Sequence, residues 1–238
     1  MEDLSTHLKR DNRALIVGIM GGIASGKSTI SKKFCDLGAE IINADKLAHE
    51  VLQYEDVKYK IINLWGEGIL NNGEIDRKNL AKIVFFKNNN TNNNKTKKNI
   101  NLRKLEAIVH PILKKKIIDK IKEVILNNST QVIVLDIALL METGLHEICD
   151  QLIFIDTPSH IRRQRAYRKR GWKKCELEAR ERLQSSLEQK QNIANFVIKN
   201  RGSKQLINKK IKEIYKKLEY LHKNNHFQET GELHGVKS

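Results

Sequence analysis

The stretch IVGIMGGIASGKST, Ile16 to Thr29, limits the fold of this chain more than any other segment. An apolar run leads into glycines, and Gly21 to Ser28 satisfy G-x-x-x-x-G-K-[ST] in full. Ile30, Phe34 and Leu37 then recur at i, i+4 and i+7, and Gly38 stands where a left-handed residue would stop a helix. Strand, loop and helix in that order make a phosphate cradle. The glycines let backbone N–H groups turn inward, while the helix start offers unpaired amides and its positive dipole end. The pattern implies that Gly21, Gly22, Ile23, Ala24, Ser25, Gly26, Lys27, Ser28 and Thr29 hold the phosphates of a nucleoside triphosphate, with Lys27 on the β- and γ-phosphates and Ser28 on Mg²⁺.

Four further apolar, β-branched runs follow, at 39–43, 131–137, 151–156 and 195–199, separated by segments of helical spacing. Such alternation predicts a parallel sheet covered on both faces by helices. Between residues 102 and 126, Leu105, Ile108, Val109, Ile112, Leu113, Ile117, Ile121, Val124 and Ile125 also keep helical spacing, interrupted by Pro111. A proline disfavours α geometry in the residue before it, so a break at His110 is expected, with Pro111 opening the next helix. The run KNNNTNNNKTKKNIN, 87–101, reads as a loop insertion too poor in apolar residues to order itself. An amphipathic helix carrying Leu206, Ile207, Ile211, Ile214, Leu218 and Leu221 is expected to precede a polar tail, 223–238. The first thirteen residues read as a frayed extension of a cytosolic protein, without a signal peptide's apolar segment.

A length of 238 residues suits one α/β domain, here 14–222, with insertions. No apolar run approaches the roughly 18 to 20 residues that span a bilayer, so no membrane partner is expected. Cys35, Cys149 and Cys175 lie far apart, without C-x-x-C, which suggests neither disulfides nor a zinc site. The net charge of +16 raises the question of nucleic acid, but aromatics are only 5% of residues and form no stacking platform. Small polyanions account for the basic excess more simply, together with a general bias toward lysine, asparagine and isoleucine.

A phosphate loop alone does not choose between hydrolysis, motion and transfer. Asp45, just past the second strand, stands where a carboxylate can orient an acceptor hydroxyl in line with the γ-phosphate, or simply cap the following helix. The segment TPSHIRRQRAYRKRGWKK, 157–174, holds eight lysines and arginines and no acid. Arg162, Arg165 and a residue at 168–170 would share a helix face able to offset charge in a transition state; a plain solvated face has the same appearance. Asp136 ends the third strand, where an acid near Mg²⁺ is common in phosphate-loop proteins. The following DIALLMETG lacks the second acid of helicase-like ATPases, and no N-K-x-D guanine motif occurs. Transfer to a small acceptor is favoured.

Assembled in order, GGIASGKST, GAEIINADKLAHEVL, WGEGILNNGEIDRKNLAKIVF, LEAIVHPIL, DIALLMETG, the arginine-rich stretch and LQSSLEQKQNIANFVIKNRGS resemble the dephospho-CoA kinase family from about Leu15 to Ile214. The resemblance implies a P-loop kinase fold of class α/β: a five-stranded parallel sheet flanked by helices, with a helical substrate-binding region at about 50–125 and a mobile lid at about 160–190. It implies an enzyme that phosphorylates the ribose 3′-hydroxyl of dephospho-CoA with ATP and Mg²⁺ and needs no nucleic acid; a cytoplasmic location and a monomer, with weak oligomers as the alternative, are expected beside it. By position, Asp45 resembles the family's carboxylate at the acceptor hydroxyl. His110 and Pro111 resemble its substrate-pocket "HP", where a structural histidine is the plainer reading from the residues alone. Asp76 and Arg77 resemble substrate-region residues, or else an exposed ion pair at a helix start. Arg165 resembles a lid arginine, and Gln184 the glutamine that ends the lid. The implied catalytic set is therefore Asp45, Lys27 and Arg165; the substrate set is Asp45, Arg77, His110, Pro111 and Gln184; the metal set is Ser28 and Asp136. This chain departs from the family pattern at Asn43, where D-x-D is common, at Ala138 in place of proline, and at Asn195 and Lys199 in place of acids. Another small-molecule kinase acting on a nucleoside, nucleotide or sugar acid, and a basic nucleic-acid-binding ATPase, are the rival readings.

Overall fold

The computed structural model describes residues 14–86, 100–127 and 130–231. The N-terminal extension and residues 87–99 of the asparagine-rich insertion lie outside the described residues; Ile100 and Asn101, its last two, begin a helix. The chain divides into two compact units, one comprising residues up to Asn43 and from Asp119 onward, the other Ala44–Ile118.

The first unit is a five-stranded parallel sheet. Its strands are β1 (Leu15–Gly21), β2 (Glu40–Asn43), β5 (Val132–Asp136), β6 (Gln151–Asp156) and β7 (Phe196–Lys199), in the order β2-β5-β1-β6-β7. All five expected strands are present. Every residue of β1 and β5 is buried, which is why both read as unbroken apolar runs. Helix α1 (Lys27–Cys35) packs Ile30 and Phe34 into the core, joined by Ile211, Ile214, Tyr215 and Leu218 of α9 (Lys204–Gly231). The Phe34 and Tyr215 rings lie 6.3 Å apart, and burial raises the Tyr215 pKa. Gly38 has φ +110°, as its stopping role requires. The tail expected from residue 223 is instead helical as far as Gly231, because no proline or glycine interrupts 222–230 and the first glycine coincides with the helix end.

In the second unit, α2 (Ala44–Val51), α3 (Glu55–Trp65), α4 (Arg77–Phe86) and residues 100–118 of α5 (Ile100–Leu126) accompany a hairpin of β3 (Leu70–Asn71) and β4 (Glu74–Ile75). Asn72 and Gly73 turn it with φ of +52° and +77°, the conformation that favours Asn-Gly. Gln53 extends the pairing: its side chain accepts from Ile75 N at 3.1 Å and donates to Ile75 O at 3.3 Å. Lys116 donates to Glu50 at 2.8 Å and to the Tyr54 hydroxyl at 2.5 Å. The hydrogen bond to Lys116 lowers the Glu50 pKa, and the reverse contact raises that of Lys116.

The break expected at His110 does not occur, since α5 runs through with Pro111 inside it. Val109, Leu113, Ile117, Ile121 and Val124 are all buried, and their spacing stays in phase only if the helix continues. An interior proline costs about 3 kcal/mol, whereas each buried aliphatic side chain stabilises by about 1.5–3 kcal/mol. Pro111→Ala should therefore raise unfolding stability by up to about 3 kcal/mol, through a restored N–H donor and a removed ring clash. Urea titration checks this, and an unchanged or lowered midpoint would contradict a helix continuous through residue 111.

Candidate active site

The loop from Gly21 to Gly26 leaves the end of β1 and enters α1 without a side-chain cap, so the N–H groups of the first turn stay unclaimed by any capping side chain. Ala24 (φ +59°) and Gly26 (φ +98°) supply the left-handed residues that curl the chain. Lys27 arches back, its Nζ donating to Gly21 O at 3.1 Å and Gly22 O at 3.2 Å. Ser28 and Thr29 are exposed on the first turn of α1. Ser25 is buried, with its hydroxyl oxygen unpartnered.

The loop is anchored through the Ser25 carbonyl. It accepts Thr157 Oγ1 at 2.9 Å, Arg165 Nη1 at 3.1 Å and Asn200 Nδ2 at 2.6 Å. A Cβ on Gly26 would meet that Asn200 nitrogen at 2.6 Å, so the close approach and the positive φ both require glycine there. Sequence reasoning singles out Arg165 but not Thr157 or Asn200, which lie just past β6 and β7 and do not stand out from the segments around them.

The basic segment forms α6 (Ser159–Arg170), followed by α7 (Lys174–Glu181) and α8 (Leu187–Asn192). Of the expected cationic face, Arg162 is buried and Arg165 half-buried, whereas Arg168, Lys169 and Arg170 are exposed. The end of this face past Arg165 is thus solvated, and Gly171 ends the helix in a left-handed cap. Trp172 in the following turn lies between Arg170 and Arg180, 4.6 and 4.1 Å from its ring centre. Arg162 pairs with Glu181 and donates its Nε to Thr157 O at 3.1 Å.

Gln184 is held where α7 turns into α8. Its Oε1 accepts from Lys190 Nζ at 3.1 Å, and the same ammonium lies 3.3 Å from Glu142 Oε1, which also accepts from Ser185 N at 2.6 Å. Lys190 is 2% exposed, a buried lysine that nothing in the polar sequence around it announces. A capping box of Ser186 and Gln189 starts α8. Asp136 is buried at the end of β5, its Cα opposite those of Ile19 and Asn43. Asn195, in place of an acid, accepts from Leu152 N at 2.8 Å through its side-chain oxygen, a bond a carboxylate would make equally well.

The second unit carries the remaining expected residues. Asp45 is exposed and is the second residue of α2, so it is not the cap of that helix; its carboxylate sits at the positive dipole end. Asp76 caps α4 by accepting from Lys78 N at 2.7 Å and Asn79 N at 3.0 Å, and the Asn79 bond first, then the Lys78 bond, holds its carboxyl below the usual range. That replaces the expected ion pair, leaving Arg77 exposed in the first turn. His110 is half-buried and Pro111 exposed on α5.

Among the described residues, no helix is long and apolar enough to cross a membrane. A family model described as dephospho-CoA kinase matches residues 15–206. The dephospho-CoA kinase of Geobacillus kaustophilus is 37% identical over 211 residues, covering 88% of this chain and 99% of that protein. The one from Carboxydothermus hydrogenoformans is 39% identical over 190 residues, covering 79% and 86%. Among solved structures, a Thermus thermophilus protein aligns with a TM-score of 0.69 at 27% identity, over 87% of this chain and 98% of that one. A dephospho-CoA kinase from Campylobacter jejuni aligns at 0.56 and 25% identity, over 85% and 96%.

Because Asn200 supplies the shortest of the three bonds to Ser25 O, Asn200→Ala should loosen the loop. The expected loss is about 1–3 kcal/mol of unfolding stability, with a reduced thermal shift on adding ATP. A variant matching the unsubstituted protein in both would show that the carbonyl does not depend on this donor.

Proposed function

The chain belongs to the dephospho-CoA kinase family, and on that premise we propose that it transfers the γ-phosphoryl group of ATP to the ribose 3′-hydroxyl of dephospho-CoA, giving coenzyme A and ADP. The observation that carries the donor half is the uncapped α1 start behind a complete phosphate loop, with Lys27 folded over Gly21 and Gly22. In the proposed mechanism the loop amides and Lys27 grip the β- and γ-phosphates. Asp45, exposed at the start of α2, accepts a hydrogen bond from the 3′-hydroxyl and takes its proton as the oxygen attacks. Arg165 balances charge spreading over the transferring oxygens; a guanidinium has five N–H donors, so its bond to Ser25 O does not exhaust it. Arg77, His110, Pro111 and Gln184 are assigned to the acceptor.

Ser28 and Asp136 would hold Mg²⁺. Among the described residues no group of three His, Cys, Asp or Glu side chains could hold a metal by itself. One hydroxyl and one carboxylate fit a hard cation that takes its other ligands from phosphate oxygens and water. When bound, such a cation neutralises phosphate charge and orients the γ-phosphoryl group.

The test is an assay of the purified protein with Mg·ATP and a panel of dephospho-CoA, nucleosides, nucleotides and gluconate, with products identified by mass. Coenzyme A formed from dephospho-CoA alone is expected; phosphorylation of another acceptor instead would overturn the substrate assignment. Asp45→Asn should lower turnover by roughly 10² or more, the usual scale of general-base contributions, while ATP binding survives. Near-normal turnover in that variant would remove Asp45 from the mechanism. Lys27→Ala should weaken both ATP binding and turnover, and an unaffected variant would refute the phosphate-loop assignment.

A further inference from the structure

Arg162 is 4% exposed and lies against the phosphate loop. A Cβ on Gly22 would fall 2.7 Å from its Nη1 and 3.0 Å from its Cζ, so the guanidinium occupies space that only glycine leaves open. Lys27 Nζ touches the same residue, 3.2 Å from Gly22 O. Gly22 therefore has two cations on it, one of which is the lysine that reaches the β- and γ-phosphates in loops of this pattern. The Arg162 head is aimed from its far side by Nε, which donates to Thr157 O at 3.1 Å. That leaves the Nη end for an anion.

In this structure the anion is Glu181. Its carboxylate pairs with Arg162 and, with Gly22, Glu178, Arg182, Gln184 and Ser185, lines an open cavity beside the loop. A carboxylate so close to a phosphate cradle works against nucleotide binding unless it has a task there. Its task is evident from Arg162: a buried guanidinium without an anion is strongly unfavourable, and burial, with the charge of Arg163 second, lowers its pKa. Glu181 keeps 28% of its side-chain surface in solvent, so it can give up the guanidinium and be rehydrated; Arg162, at 5%, cannot.

Resting on the reading of this site as an ATP-dependent phosphoryl transferase, we propose that Arg162 is a catalytic residue for the γ-phosphoryl group and Glu181 its displaceable counter-anion. The γ-phosphate takes the Nη donors over from Glu181, and a planar guanidinium suits two phosphate oxygens as well as it suits a carboxylate. ADP has no group that reaches them. After transfer, Glu181 recaptures Arg162 and the loop is left with one cation fewer on the product. The exchange makes the site discriminate ATP from ADP.

The experiment is calorimetric titration of ATP and of ADP, each with Mg²⁺ and without acceptor, into the full chain and its Glu181→Gln and Arg162→Met variants. Glu181→Gln should tighten ATP by roughly tenfold, the size of one charge-assisted hydrogen bond no longer contested. ADP affinity should stay within about twofold, since ADP does not engage that end of the site. Arg162→Met should weaken ATP by roughly tenfold or more and leave ADP near its original affinity. In Glu181→Gln, equal shifts for both nucleotides, no shift, or weaker ATP binding would overturn the proposal and leave the pair as a clamp between α6 and α7. If Arg162→Met does not fold, the ATP-to-ADP ratio of Glu181→Gln decides alone. No acceptor is present in the titration, so its failure is distinct from a failure to phosphorylate dephospho-CoA.

Discussion

One backbone oxygen, that of Ser25, sets the shape of the phosphate loop. Three donors from three places in the fold converge on it: Thr157 beyond β6, Arg165 on α6 and Asn200 beyond β7. A trans peptide points its C=O and N–H in opposite directions. Holding the Ser25 carbonyl toward the protein therefore turns the Gly26 N–H the other way, into the cradle, before any phosphate arrives. Thr157 and Asn200 are buried, and in a low-dielectric setting such bonds are stronger and their loss more damaging. The cradle is thus built by the far ends of two other strands and a helix, not by the glycine motif alone.

The same arrangement gives the arginines of α6 separate work. Arg165 reaches the loop at Ser25, while Arg162, one helical turn earlier, reaches it at Gly22. The cluster at 168–170 stays in solvent. A run of like charge in sequence is therefore divided by burial into two packed cations and a solvated end, and Arg162 is tolerated inside because Glu181 and Thr157 answer it.

What the sequence makes legible follows from how each element is buried. The three central strands, buried almost throughout, produce contiguous apolar runs, the partly exposed edge strands β2 and β7 show as short β-branched stretches, and the loop motif is local. The hairpin at 70–75 escapes because two-residue strands make no run, although Asn72-Gly73 is a turn signal. The break at His110 is misread because a local rule about prolines competes with a buried stripe that spans it, and tertiary burial prevails. Lys190 is invisible for a different reason. A lysine in a short polar helix looks solvated, and only folding brings Glu142 and Gln184 to its ammonium. Asp45 and Lys27 carry chemical signals of their own; Thr157, Asn200 and Glu181 gain meaning only from what they touch.

Asn43 can be understood from the sheet register. It ends β2, and its Cα partner on β5 is Asp136. Residues paired across adjacent strands place their side chains on the same face, where like charges oppose each other. An aspartate at 43, as the D-x-D pattern of the family would have it, would stand beside the buried Asp136 and require a cation to offset the two carboxylates. With asparagine the pair carries one negative charge and can be satisfied by hydrogen bonds. The substitution thus removes a source of repulsion from the carboxyl end of the sheet while Asp45, two residues on, remains a charged carboxylate. The acceptor-activating role proposed for Asp45 does not depend on a carboxylate at position 43.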